Sequence, residues 1–199
     1  MRAALALLER DPRAPLTVAR IAAEVDAAPA ALYRHFVHVD ELLDAVLAAV
    51  LGAVALDVRP QASWPTQVRE WMTAVRDHLL RHPAVLPLIG RHGRTSPAWL
   101  DAVSTLIAIL ERAGLTGAGL ARAHLWIAET TVGIAMLEAS LPLPEQIANA
   151  RASIAQMSPH GRERIAALVP HLARLDGDAL FAFVADRTID ALAAMVEAR

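Results

Sequence analysis

The chain has 199 residues, of which 55% are hydrophobic and 20% charged, and its formal net charge is −2. This length can bury a real core in one large domain or in two smaller modules, and the near-neutral charge excludes a uniformly basic nucleic-acid-binding chain. The sequence contains no cysteine, which excludes disulfides and cysteine-ligated zinc. Its apolar N-terminal stretch is too short for a secretory signal and no stretch has membrane character, so we expect a cytoplasmic protein without membrane contact.

Four helices are predicted in the first part of the chain. Thr17 is a good N-cap for the second helix, and Pro29 suits the first turn of the third. Asp40 and Glu41 stand in the first turn of the fourth helix, where carboxylates complement the helix dipole. The predicted ranges are 2–10, 17–25, 29–36 and 40–58.

Helical periodicity continues to the end of the chain, with breaks at proline and glycine residues. Residues 59–63 form the first clear interruption, and no alternating strand pattern competes with the helices. The sequence therefore predicts an all-α fold. The remaining predicted ranges are 64–82, 83–90, 97–113, 118–140, 143–157, 160–174 and 177–198.

The first three predicted helices have the anatomy of a helix-turn-helix, because a short turn joins the second and third helices and the first can pack across them. Leu42, Leu43 and Val46 of the fourth helix supply an apolar seam that supports this small unit. The exposed third helix would then enter a DNA major groove, whose width admits one α-helix. The expected core comprises Leu5, Leu8, Leu16, Val18, Ile21, Ala22, Val25, Leu32 and Phe36.

Three sequence runs carry a family resemblance: TVARIAAEV from Thr17, LYRHF from Leu32 and DELL from Asp40. Together they closely resemble the DNA-binding domain of the TetR family of transcriptional regulators. The resemblance in motif covers residues 2–50, and the remainder matches the family in length, helicity and helix count. It implies a helix-turn-helix DNA-binding domain at 1–47 and a helical ligand-binding and dimerisation domain at 48–199.

The resemblance also assigns contacts with double-stranded operator DNA. Thr17 would cap the second helix and offer its hydroxyl or backbone N–H to a phosphate. Tyr33 and His35 would bond phosphate oxygens, with packing at the domain seam as the alternative. Arg34 would reach a phosphate or, as the less favoured alternative, a base edge. The residues that start the third helix and face the groove are Ala28, Pro29, Ala30 and Ala31.

Several positions depart from the family pattern. Asp26 stands at the turn where glycine is usual, and Ala28 cannot cap the third helix through its side chain. Ala31 and Val39 replace polar or cationic residues that commonly face DNA. Residues 1–47 carry five Arg against seven Asp and Glu, a net charge of −2. Because phosphate neutralisation supplies most non-specific affinity, we expect weak binding or readout through apolar contacts such as thymine methyls.

Two long helices of the second module predict a homodimer, since paired half-sites supply affinity that one module lacks. In the family the last two helices of each subunit form a four-helix interface. Packing inside the subunit is the alternative, and opposite faces of each helix can serve both purposes. The predicted interface residues are Leu125, Val132, Phe183, Ile189 and Leu192.

The middle helices, at about 64–136, are where the resemblance places a ligand pocket. Aromatic and sulfur-containing side chains there suit a small apolar effector, with core packing as the alternative for each of them. The predicted ligand-binding residues are Trp71, His78, Trp99, His124, Trp126 and Met136, supported by the apolar walls of Met72 and Leu106.

Neither a metal nor a cofactor nor a catalytic site is predicted. His78 and His82 have helical spacing that suits zinc, but no third ligand is identifiable. No nucleophile lies at useful spacing from a base, and there is no glycine-rich phosphate loop. The resemblance implies a ligand-responsive homodimeric repressor, and we predict that the chain is not an enzyme. The alternative is a dimer of the same fold that has lost DNA binding and binds a small molecule or a partner protein.

Overall fold

The computed structural model of the chain describes residues 2–11, 14, 17–34, 36, 38–90 and 95–197, and these residues form helices and no strand. This confirms the all-α prediction. Within the same residues, no helix is both long and apolar enough to cross a membrane. The helices are α1 (Arg2–Arg10), α2 (Val18–Glu24), α3 (Pro29–Leu32), α4 (Val39–Gly52), α5 (Trp64–Arg81), a 3-10 helix (Pro83–Leu88), α6 (Pro97–Arg112), α7 (Gly117–Ser140), α8 (Leu143–Ile154), α9 (Pro159–Leu172) and α10 (Gly177–Glu197).

In the first module, which comprises α1, α2, α3 and the first half of α4, α1 packs against α2 and α2 against α3, while α1 and α4 both contact the 3-10 helix. Each of α1, α2 and α4 buries one apolar stripe at the three-to-four-residue spacing that helical periodicity requires. On the surface, Arg10 at the end of α1 binds Glu24 at the end of α2 at 2.5 Å. The buried residues of this small core are Ala4, Leu7, Leu8, Val18, Ile21, Ala22, Leu42, Leu43 and Val46.

Two members of the predicted core need comment. Val25 is 48% exposed, so its assignment to the core is wrong. The reason is that α2 ends at Glu24, which turns Val25 off the buried face of the helix. Leu16 lies outside the described residues. Leu5, Leu32 and Phe36 are half-buried and pack against the core as predicted.

The fourth helix ends at Gly52, six residues before its predicted end. Beyond it the N–H groups of Ala53 and Val54 bond carbonyls only three residues back, those of Val50 and Leu51. A last turn of this tighter type does not propagate an α-helix. Gly52 also lies against α6, since a Cβ at Gly52 would be 3.4 Å from Ala98 Cβ. The third helix is likewise shorter than predicted, ending at Leu32 instead of 36.

The second module is built around α5, which packs against α6, α7 and α10. A polar bond inside this core joins α5 to α6, because Trp71 Nε1 donates to the carbonyl of Ala102 at 2.9 Å. The helices α8 and α9 pack mainly on each other and keep most of their surface exposed. The fully buried side chains that fill the core include Trp71, Met72, Leu79, Leu106, Ile109, Leu110, Leu115 and Ile127.

Candidate nucleic-acid interface

The turn between α2 and α3 is set by local backbone bonding. The N–H of Ala27 bonds the carbonyl of Ala22 at 2.9 Å, and the N–H of Asp26 bonds that of Ala23 at 3.3 Å. This pair of bonds is a Schellman motif, which needs a left-handed residue after the helix. Asp26 supplies it with φ of 49°, the residue type that enters this region more readily than most side chains do.

The N-terminus of α2 is capped as the sequence predicts. Thr17 adopts an extended backbone and its Oγ1 accepts a hydrogen bond from the N–H of Arg20 at 3.2 Å. The cap confirms Thr17 as the helix start, and it leaves the contact with a phosphate as a prediction. Ala28 begins α3 without a side-chain hydrogen bond, as its methyl group requires, and Pro29 occupies the first turn.

The short helix α3 lies at the surface of the module. Leu32 and Phe36 are half-buried against the core, and the N–H of Phe36 bonds the carbonyl of Leu32 at 3.0 Å. This anchor turns Tyr33 and Arg34 outward, and Tyr33 is 56% exposed. His35 lies outside the described residues. Of the four residues predicted to face the groove, Ala28, Pro29 and Ala30 are exposed and Ala31 is half-buried.

The structure separates the six predicted ligand-binding residues. Trp71 and Trp99 come together, with ring centroids 6.1 Å apart and planes tilted by 52°. His78 is buried and its Nε2 lies 2.7 Å from the carbonyl oxygen of Val50. Trp126 is 39% exposed on the outer face of α7.

His124 and Met136, the other two predicted ligand-binding residues, are half-buried on α7. His124 Nδ1 lies 3.4 Å from the carbonyl oxygen of Leu120 in its own helix, and Met136 packs against the core.

A charged cluster in the second module was not anticipated from the sequence. Arg76 is buried on α5, and its guanidinium donates to Glu138 of α7 at 2.9 and 2.7 Å and to Asp178 of α10 at 2.8 Å. Its Cζ also lies 4.7 Å from the ring centroid of Phe181. Burial lowers the pKa of Arg76, but the bonds to the two carboxylates outweigh burial and raise it, so the guanidinium stays charged.

This cluster ties α5, α7 and α10 together and lines a cavity of about 470 Å³. None of the six predicted ligand-binding residues lines that cavity; its walls are Arg76, Asp77, Leu80, Arg81, Glu138 and Asp178. A signal for the cluster does exist in the sequence. Arg76 stands eight residues after Val68, at a position where the periodicity of the buried α5 face calls for an apolar residue.

The predicted interface residues fall into three groups by exposure. Leu125 and Phe183 are 51% and 60% exposed on the outer faces of α7 and α10. Val132 and Ile189 are half-buried against the subunit's own core. Leu192 is fully buried, so it packs inside the subunit and has no surface to offer a partner.

Two family models match most of the chain. One, described as "Bacterial regulatory proteins, tetR family", matches residues 1–46, and the other, "Tetracyclin repressor-like, C-terminal domain", matches residues 58–196. An "HTH-type transcriptional regulator" from Saccharopolyspora erythraea is 30% identical over 131 residues, or 66% of this chain and 56% of that protein. The chain thus aligns with little more than half the length of this curated relative.

Solved structures share the fold. A possible TetR family transcriptional regulator from Streptomyces coelicolor A3(2) has a TM-score of 0.83 at 27% identity, covering 98% of this chain and 97% of that one. BioQ with its double-stranded DNA operator has a TM-score of 0.62 at 27% identity, covering 87% and 95%. ActR from S. coelicolor in complex with actinorhodin has a TM-score of 0.81 at 21% identity, covering 97% and 92%. With a helix-turn-helix in the first module and both family models matched, the chain belongs to the TetR family of transcriptional regulators.

Proposed function

We propose that the chain is a homodimeric repressor that binds a double-stranded DNA operator and is released from it by a small apolar molecule. Such a regulator acts in the cytoplasm, where the DNA is, and needs no catalytic residues. The operator-bound state of BioQ, a protein of the same fold, supports the DNA-binding part of the proposal.

The observation that carries the proposal is the exposed third helix. Asp26, whose backbone is in the left-handed region, follows α2, and α3 then lies at the surface. There Tyr33 and Arg34 face solvent, and Ala30 is also exposed. A phenol and a guanidinium at the end of a recognition helix suit phosphate oxygens. Ala30 can approach thymine methyl groups in the major groove.

Dimerisation would place two such helices on one side of the assembly, as two successive half-sites require. The support for it is the apolar outer surface of α7 and α10. Several large side chains there are exposed in the single subunit, namely Leu125, Trp126, Leu137, Leu180 and Phe183. Gly133 lies among them on α7 with nothing within 4 Å of an added Cβ, which permits a close approach of a second helix.

The effector site that we propose lies near the tilted pair Trp71 and Trp99, between α5 and α6. ActR, which shares the fold, has been solved in complex with actinorhodin, and this supports a ligand-binding role for the second module. Entry of a ligand between these helices would shift α4 and change the separation of the two recognition helices.

The decisive experiment is selection of DNA by the full-length protein from a random-sequence pool and from the DNA flanking its own gene. Tyr33→Phe then removes only one exposed hydroxyl per subunit. We expect it to weaken operator binding by about 1 to 3 kcal/mol per dimer, roughly 5- to 150-fold, for the loss of two hydrogen bonds. Because Tyr33 is exposed, the thermal stability of the protein should not change.

The matched control is His160→Ala, which removes an exposed ring on α9, far from α3 along the chain. It should leave operator affinity unchanged. Equal affinity of Tyr33→Phe and the parent protein would contradict the phosphate contact.

A second candidate function is favoured by charge. Residues 1–47 carry a net charge of −2, and Arg10 is engaged with Glu24 instead of being available to a phosphate. A dimer that has lost DNA binding would enrich no sequence in the selection at any salt concentration. Binding that is sequence-specific and weakens with salt would exclude this candidate.

A further inference from the structure

A buried polar contact joins the end of α4 to α5. His78 Nε2 lies 2.7 Å from the carbonyl oxygen of Val50, and His78 is almost completely buried. A carbonyl oxygen only accepts hydrogen bonds, so Nε2 carries the proton and donates it. His78 was expected at a ligand, and its ring instead binds the backbone at the end of α4.

The acceptor of this bond is special because of its place in α4. Val50 belongs to the last turn, whose carbonyl groups have no partner within a regular helix. Its oxygen accepts from the N–H of Ala53 at 3.0 Å and also from the imidazole. His78 therefore caps the C-terminus of α4 from a different helix.

A second histidine extends the contact to α1. His82 lies one turn after His78, with ring centroids 4.9 Å apart, and its Nδ1 is 3.3 Å from Glu9 Oε1 near the end of α1. His78 on α5 and His82, the residue that follows its end, thus contact two different helices, α4 and α1. Around them the seam is apolar, with Val46, Leu47 and Leu79 buried.

We propose that His78 is the positioning residue that fixes the angle of α4, and with it α3, against the second module. Apolar contacts have no preferred direction, whereas a buried N–H···O bond is directional and leaves the imidazole N–H without an acceptor when it is broken. A shift of α5 must therefore carry the end of α4 with it. The effect of His78 on operator binding rests on the proposed function, but its contact with the end of α4 does not.

The test compares His78→Leu, which removes the donor, with His78→Gln, whose amide nitrogen can occupy the place of Nε2. Thr131→Val is the control, since it removes a buried hydroxyl that bonds only the carbonyl of Ile127 in its own helix, at 2.7 Å. On selected operators whose half-sites are moved apart by single base pairs, the parent protein should prefer one spacing. His78→Leu should lose about tenfold in affinity at that spacing and flatten the preference, and His78→Gln and Thr131→Val should keep it.

Hydrogen exchange of the backbone amides of residues 50–56 gives a second measurement that needs no DNA. His78→Leu should speed exchange in this segment, while His78→Gln and Thr131→Val leave it as in the parent protein. If His78→Leu changes neither the exchange nor the spacing preference, or if His78→Gln behaves like it, the proposal is wrong. If the parent protein selects no operator, the proposed function fails, and the exchange measurement still tests whether His78 holds the end of α4.

Discussion

A single methyl group added at Gly177 tests the ion pairs at the centre of the second module. The new Cβ would lie 2.5 Å from Glu138 Oε1 and 3.1 Å from Glu138 Cδ. Those atoms cannot move freely, because both oxygens of the carboxylate accept hydrogen bonds from Arg76. Gly177 is not in the left-handed region, so alanine can adopt its backbone conformation and the clash alone opposes the change.

The expected magnitude follows from two opposing effects. Displacing the carboxylate weakens charge-assisted hydrogen bonds that contribute about 1.5–3 kcal/mol, and the lower end applies because Glu138 is partly solvated. Asp178 remains bonded to Arg76 at 2.8 Å, so no buried charge is left alone. Replacing glycine by alanine in a helix returns up to about 1 kcal/mol. We expect Gly177→Ala to destabilise the fold by about 1 kcal/mol.

The assay is urea unfolding at one fixed protein concentration. Gly119→Ala on α7 is the matched control, since nothing lies within 4 Å of its added Cβ, and it should be neutral or stabilising. With Glu138→Ala already present the clash is gone, so Gly177→Ala should then be neutral or stabilising, which gives a coupling of about 1 to 2 kcal/mol between the two changes. Additive effects, or a stabilisation by Gly177→Ala equal to that of Gly119→Ala, would refute the reasoning.

Two further predictions concern assembly and pH. Phe183→Glu places a charge on the proposed apolar interface and should shift the protein from dimer to monomer in sedimentation experiments, whereas Leu168→Glu on the exposed face of α9 should not; two variants with equal dimer content would contradict the interface. Burial holds the pKa of His78 below its ordinary 6.5, helped by His82 and Arg81, although the Val50 carbonyl raises it. Protonation then favours the unfolded chain, so this stability is fully present above about pH 6.5 and is lost as pH falls below it. Between about pH 8 and pH 5, the urea midpoint of His78→Gln should fall less than that of the parent protein. In the parent protein His82 also faces Glu9. Parallel curves of urea midpoint against pH would contradict the assignment of this pH dependence to His78.

Local signals explain how closely the helices were predicted. The helix at 64–82 is observed as Trp64–Arg81, and that at 97–113 as Pro97–Arg112. Proline in the first turn, glycine after the last and a capping side chain act within a few residues of themselves, so the sequence displays them directly. The same holds for the turn at Asp26, where the missing glycine marked the left-handed position that the structure contains.

Contacts between residues far apart in the chain determine the features that these local signals cannot predict. The residue pattern was enough to predict the all-α class, the helix-turn-helix and most helix ends, because each depends largely on neighbours within one or two turns. The end of α4 depends on contacts with α5 and α6, and the roles of His78 and Arg76 depend on Val50 and Glu138, which are distant along the chain. Periodicity shows that a helix has an apolar face, but only the packed structure shows which helix that face meets, and this placed Trp126 outside and Leu192 within.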